Sequence, residues 1–161
     1  MKNKRVVCYD VTGKKYLFEA SKLKFRPSVY GILIEKGKIL LSKQWDGYDF
    51  PGGGVEIDET IEQALVREFK EETGLKVMPV KLIDAQSSFF VGRISKDPWH
   101  SILIYFLVKR VSGNLSLKNI AKTEKSYIGM PEWVNLKDLR KIKFYNSVKS
   151  LEIIKKATGE K

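Results

Sequence analysis

The 161-residue chain is 43% hydrophobic and 30% charged with a formal charge of +11, a composition that fits one compact domain with a real core and excludes a disordered or fibrous chain. Its longest apolar run, Ile102 to Val108, is too short to span a bilayer, and "MKNKRVVCYD" has no apolar signal segment. Cys8 is the sole cysteine, so no intramolecular disulfide can form, and a reducing cytoplasm is the expected location.

In chain order, "RVVCYDV" and "KYLFEA" flank Thr12-Gly13-Lys14 and predict a β-hairpin that carries Cys8 on a strand. Arg26-Pro27 breaks the pattern, and "SVYGILIE" then pairs with "ILLSKQ" across the turn Glu35-Lys36-Gly37-Lys38. From Gln44 to Glu56 the glycine and proline density excludes regular structure. Asp58 to Thr73 has helical periodicity, with Thr60 and Gln63 as a capping box and Gly74-Leu75 as the stop. Two strands follow, "KVMPVKLIDA" and "SILIYFLVKR", the second buried on both faces. Between them "QSSFFVGRISKDPWH" reads as a long irregular loop of the kind that carries function. "EWVNLKDLRKI" predicts a strand and a short helix capped by Asn135, and a last helix from about Asn146 to Ala157 turns Val148, Leu151 and Ile154 inward. The expected fold class is α/β, a sandwich with a mixed sheet. A hairpin extension over residues 1–24 precedes a main domain over 25–161, with Pro27 near the seam.

The chemistry concentrates in one helix. Residues three and four apart share a helix face, so Glu68, Glu71 and Glu72 project within one arc, with Lys70 and Arg67 expected on other sides. Like charges at this spacing repel, and a hard divalent cation such as Mg²⁺ relieves the repulsion through oxygen ligands; a solvated acidic face is the plain alternative. The preceding "PGGG" offers backbone that a phosphate can approach closely. Metal beside such a loop points to phosphate chemistry.

The same stretch resembles the box of the Nudix hydrolase family, G-x5-E-x7-R-E-U-x-E-E-x-G-U, where U is a bulky aliphatic residue. Gly53, Glu59, Arg67-Glu68, Glu71-Glu72, Gly74 and Leu75 stand in register, and the one departure is aromatic Phe69 at the first U. The flanks "RPSVYGILIEKGKILL" and "EWVNLKDL" agree, and the resemblance covers about residues 26–156. It implies a Nudix α/β/α sandwich and hydrolysis of a nucleoside diphosphate linked to another group, with Mg²⁺ or Mn²⁺ as cofactor. By the same resemblance Glu68, Glu71 and Glu72 are the metal-binding and catalytic acids, Glu68 is the favoured base, and a Gly52 or Gly53 carbonyl is a further ligand. Arg67 is implied to pair with Glu59. Members recruit another acid from a downstream loop; Glu124 is the first choice here, with Glu132 and Asp97 competing.

Trp45, Tyr48, Phe89, Phe90 and Trp99 lie in or beside the predicted loops and could stack on a base, while Phe50 is expected to pack beneath the glycines. His100, the only histidine, precedes an apolar strand and is a weaker candidate. Markers of the ADP-ribose, coenzyme A and dinucleoside polyphosphate groups of the family are absent: Pro79 stands too close to the box and Pro98 too far. A nucleoside triphosphate or related nucleotide is therefore the expected small-molecule substrate. The alternatives are an RNA 5′-end pyrophosphohydrolase, which the positive charge permits, and a binding module without catalysis. Lysines spread along the chain permit a nucleic-acid partner without favouring one. The hairpin is expected to extend the sheet or to pair in a homodimer.

Overall fold

The computed structural model describes residues 4–145 and 148–160. The first hairpin forms as its turn chemistry requires: β1 (Arg5–Tyr9) pairs antiparallel with β2 (Lys15–Glu19), and Gly13 takes φ +82° in the turn. Cys8 is fully buried. β3 (Lys24–Ile32) does not stop at Pro27 but runs through it. The reason lies in the direction of the missing N–H. Pro27 O accepts from Val55 N at 3.0 Å, so this residue's polar side faces away from β3's long parallel neighbour, and that ladder loses no donor. β4 (Ile34–Glu35) turns into β5 (Lys38–Gln44) through Lys36 and Gly37 at φ 49° and 73°, the left-handed pair of a two-residue hairpin.

The glycine-rich segment is more regular than expected. It contains β6 (Gly47–Asp49), paired with β5, and β7 (Gly52–Gly54), paired with β3. Absence of side chains is what admits β7: a Cβ on Gly52 would lie 2.1 Å from Val29 O. Helix α1 (Ile61–Thr73) begins and ends on the predicted devices, with the reciprocal Thr60–Gln63 capping box and Gly74 at φ 78°.

β8 (Lys76–Val91) and β9 (Pro98–Ser112) then form one long antiparallel ribbon. The expected irregular loop is thus mostly strand, leaving only residues 92–97 as a turn. From Ser101 to Val108 every β9 residue is buried or half-buried. β10 (Ile128–Asn135) joins β5 and leads into a 3₁₀ turn, Leu136–Lys141, to which Asn135 gives no side-chain cap. Helix α2 (Ser150–Thr158) closes the described chain; Asn146 and Ser147, where the sequence starts this helix, lie outside the described residues. Ile154 is buried, Val148 and Leu151 are half-buried, and Ile153, which the sequence reading left out, is buried completely.

The order β2-β1-β8-β9-β3-β7 makes a mixed six-stranded sheet, parallel at β1–β8 and β3–β9, beside a smaller sheet of β10, β5, β4 and β6. Alternation along β3 and β9 builds two cores. Val29 and Ile104 pack with Leu65 and Phe69 of α1, whereas Ile32, Leu103 and Tyr105 pack with Phe50 and with Ile153 of α2. Phe50, next to the glycines in the chain, is fully buried in the second of these cores. Gly31 lets α1 settle onto β3, since a Cβ there would stand 2.6 Å from the Phe69 ring. Gly31→Ala should therefore destabilise by about 1–3 kcal/mol, read as a lower urea midpoint. No helix among the described residues is long and apolar enough to cross a membrane.

Candidate active site

Register decides which glycine atoms are free. Gly31 N donates to Pro51 O and Val55 N to Pro27 O, both at about 3 Å, so the intervening Gly53–Val29 pair lies in the hydrogen-bonded phase of the ladder. Gly52 and Gly54 consequently turn their N–H and C=O groups out of the sheet edge. Gly52 N donates to Glu72 Oε2 at 3.2 Å, and Gly54 O accepts from Arg67 Nη2 at 3.1 Å. Of the two predicted carbonyls, the Gly52 carbonyl is the one directed outward.

α1 lays its acids along this edge. Glu68 stands over Gly53 so closely that a Cβ there would meet its carboxylate at 2.5–2.7 Å. Glu72 is only 4% exposed and also accepts from Ser42 Oγ at 2.6 Å. Burial pushes the Glu72 carboxyl well above its ordinary pKa against the Ser42 bond, and Glu68 adds to the rise. Burial also raises Glu68, opposed by Arg67 and reinforced by Glu71 and Glu124.

Arg67 is where the sequence reading needs correction. Its Nε donates to Glu59 Oε2 at 2.9 Å, as expected, but it does not point away from the other acids. Nη1 lies 2.9 Å from Glu68 Oε1 and 3.6 Å from Glu71 Oε2. A planar fork serves two acids at once where an ammonium could not, and helical spacing alone does not reveal that reach.

Of the three downstream acids, Glu124 faces the helix. Burial raises its carboxyl and the Glu71 charge adds to this, while a bond from Tyr127 lowers it. Glu132 is instead held by Tyr48 and Lys43, and Asp97 by Lys24. Among the described residues no three acids, histidines or cysteines converge tightly on one point, and Arg67 lies between Glu68 and Glu71. The donor chemistry nevertheless fits a hard divalent cation: the carboxyls of Glu68, Glu72 and Glu124 are pushed up by burial and then by neighbouring acids, beside an outward carbonyl.

The aromatic candidates separate. Trp45 stacks on Tyr127 at 4.9 Å and 17°, and the Arg93 guanidinium covers it at 3.7 Å, so both ring faces are occupied by protein. Tyr48 lies opposite Lys43 in the β5–β6 register, whereas Ser42 and Asp49 share the other face; Tyr48 therefore projects away from Glu72. Phe89 stacks on His100 at 4.4 Å, with Phe25 at its edge, and His100 Nε2 is buried without a partner. Trp99 pairs with Phe90 across the ribbon and lies beneath Lys24 and Arg26.

Several site residues had no signal in the sequence. Ser42 looks like any strand serine until β5 reaches α1. Arg26 seemed a strand breaker's neighbour, yet it lies against Gly54, where a Cβ would meet its Cδ at 2.7 Å. Tyr127, its phenol pushed up to about 12 by burial and then by Glu124, links Trp45 to the acids.

A mixed sheet between two helices, with a glycine edge strand set against an acidic helix, defines the class of sandwich to which this chain belongs. The NUDIX domain family matches residues 24–153, and the chain belongs to that family. It is 36% identical over 123 residues to an ADP-ribose pyrophosphatase of Methanocaldococcus jannaschii, across 73% of this chain and 66% of that protein. An 8-oxo-dGTP diphosphatase of Buchnera aphidicola is 30% identical across 76% and 86% of the two chains. An RNA pyrophosphohydrolase of a Marinomonas species is 39% identical across 45% of this chain and 47% of its own length. The crystal structure of an ADP-ribose pyrophosphatase from Streptococcus suis shares the fold at a TM-score of 0.61 and 18% identity, over 83% of this chain and 91% of that one. The matched segments thus span from about half to most of these relatives' lengths, and the names carry three different substrates.

Proposed function

We propose that the chain is a metal-dependent pyrophosphohydrolase that cleaves the diphosphate linkage of a nucleotide, a nucleoside triphosphate or related nucleoside diphosphate derivative, by attack of water. The observation that carries this reading is the mutual influence of Glu68, Glu71, Glu72 and Glu124 beside the outward edge of β7, where four acids face the guanidinium groups of Arg67 and Arg26. The family generally uses divalent cations; here Mg²⁺ or Mn²⁺ would be held by those four carboxylates and the Gly52 carbonyl. Such a cation neutralises phosphate oxygens and lowers the pKa of its water. Glu68 is the proposed base: burial raises its carboxyl above the ordinary value, which makes its carboxylate a stronger proton acceptor. Arg67 acts as a positioning residue that ties the Gly54 backbone and Glu59 to α1. Residues 25–161 would carry the reaction, with 1–24 as an extension of the sheet.

A second reading, hydrolysis at a triphosphorylated RNA 5′ end, is favoured by the +11 charge and the Marinomonas relative. The deciding experiment is a turnover screen in Mg²⁺ and in EDTA over nucleoside triphosphates, ADP-ribose, nucleotide sugars, dinucleotides and triphosphorylated RNA, with products identified by mass. Release from at least one nucleotide, absent in EDTA, is expected. Activity confined to RNA and falling steeply with salt selects the second reading, and a clean blank across the panel contradicts both.

A further inference from the structure

We infer that a groove beside the N-terminal hairpin binds the nucleoside monophosphate unit of the substrate, making β1 and β2 a specificity wall outside the family-matched region. The ligand is called a substrate on the strength of the proposed hydrolysis, but its binding can be measured without turnover.

The groove, ≈ 850 Å³, opens between the β1–β2 turn and the 92–97 turn, a volume in the range of small-molecule sites. Its hairpin wall presents Tyr16 and Phe18, rings 6.4 Å apart and 24° from parallel. On the facing wall Arg93 lies 3.7 Å over Trp45 and 5.7 Å from the centre of Tyr145. Aromatic faces hold the guanidinium in place without consuming its in-plane N–H donors. Lys96 stands in the same groove, exposed at the surface, and among the described residues neither cation is in an ion pair.

The groove's own acids are already engaged. The Asp10 carboxylate accepts from Thr12 N and Oγ1, from Lys14 N and from Tyr16 OH. Asp46 accepts from Lys143 Nζ at 3.2 Å. What is left to a ligand is the donors of Arg93 and Lys96 opposite the Tyr16–Phe18 wall, where Lys14 Nζ adds a further cation 5.3 Å from the centre of the Tyr16 ring. That combination suits a phosphate attached to a heteroaromatic base.

The location connects this groove to the acids. Arg93 stacks on Trp45, Trp45 on Tyr127, and Tyr127 bonds Glu124, whose carboxyl feels the Glu71 charge. A run of packed side chains therefore joins the Arg93 wall of the groove to the acids. The NUDIX match begins at residue 24, so the Tyr16–Phe18 side of the groove belongs to this chain's extension.

The test is calorimetric titration of the full chain, in EDTA, with AMP, GMP, CMP and UMP, and with ribose 5-phosphate and inorganic phosphate as partial ligands. At least one nucleotide should bind with a sub-millimolar Kd and more tightly than either partial ligand. Arg93→Ala should weaken it about tenfold or more, the loss of a charged hydrogen bond. Lys96→Glu, at an exposed turn position, should weaken it several-fold with unchanged thermal unfolding. No heat from any of the four nucleotides up to millimolar concentration, or binding that both variants leave intact, overturns the inference. Binding that survives in a protein with no turnover overturns the hydrolytic reading alone.

Discussion

Glu72→Gln is expected to reduce turnover at saturating Mg²⁺ by about 10³-fold or more, the scale of losing a group that organises charge at the reacting phosphate. Thermal unfolding in Mg²⁺ should change little. Glu72 is buried, and its contacts are donors, Ser42 Oγ and Gly52 N, to which a Gln amide oxygen of the same shape can still accept. The pH dependence gives an independent check. Burial raises the folded carboxyl above its unfolded value, so its favourable contribution is complete below the ordinary carboxylate pKa and is lost as pH rises through the raised one. In EDTA the parent should therefore lose stability relative to Glu72→Gln as pH rises above the ordinary carboxylate range, and Mg²⁺ should restore it. Melting curves of both proteins with and without the cation test this, and equal turnover in variant and parent would sink the role assigned to Glu72.

The second large effect is on stability. Arg67→Ala removes a guanidinium that joins Glu59, Glu68 and the Gly54 carbonyl. It leaves two carboxylates, 14% and 12% exposed, without their countercharge. The expected cost is about 2–4 kcal/mol, between the loss of charged hydrogen bonds and the breaking of a buried pair. Arg67→Lys should recover only part, since an ammonium cannot reproduce the fork. Arg67 holds Glu59 below its ordinary pKa, so that part of the parent's advantage is present above the carboxylate range and shrinks as pH falls through it. Urea unfolding at neutral and acidic pH measures both effects. A difference under about 0.5 kcal/mol, the size of an ordinary surface substitution, would show that Arg67 does not tie the edge strand to the helix.

What the sequence revealed and what it hid divide along local and non-local interactions. α1 was legible because its cap, stripe and stop all lie within its own residues. Family membership was legible for the same reason, since the box from Gly53 to Leu75 is one contiguous stretch. β7 was not, because a glycine triplet has no pattern of its own and becomes a strand only when β3 accepts it. The ends of β8 and β9 were hidden too: Phe89 and Val91 are strand residues because His100 and Pro98 lie opposite them, a pairing no window of sequence displays. Tyr48 reads from the sequence as a loop aromatic that could stack on a base, and the β5–β6 register turns it to the face away from Glu72. Glu124 could be guessed from its loop, whereas Ser42, Arg26 and Tyr127 acquire meaning only after the sheets assemble. The fold class and the acidic helix were therefore readable, and the wiring around the helix was not.

In the proposed function the acids of α1 hold a divalent cation at the edge of β7. Mn²⁺ binding followed by electron paramagnetic resonance tests it most directly, with no need to know the substrate. The parent should take up at least one Mn²⁺ per chain, competed by Mg²⁺, and the Glu68→Gln, Glu72→Gln double variant should lose that uptake while remaining folded by circular dichroism. Mn²⁺ uptake of equal affinity and stoichiometry in the two proteins would contradict it.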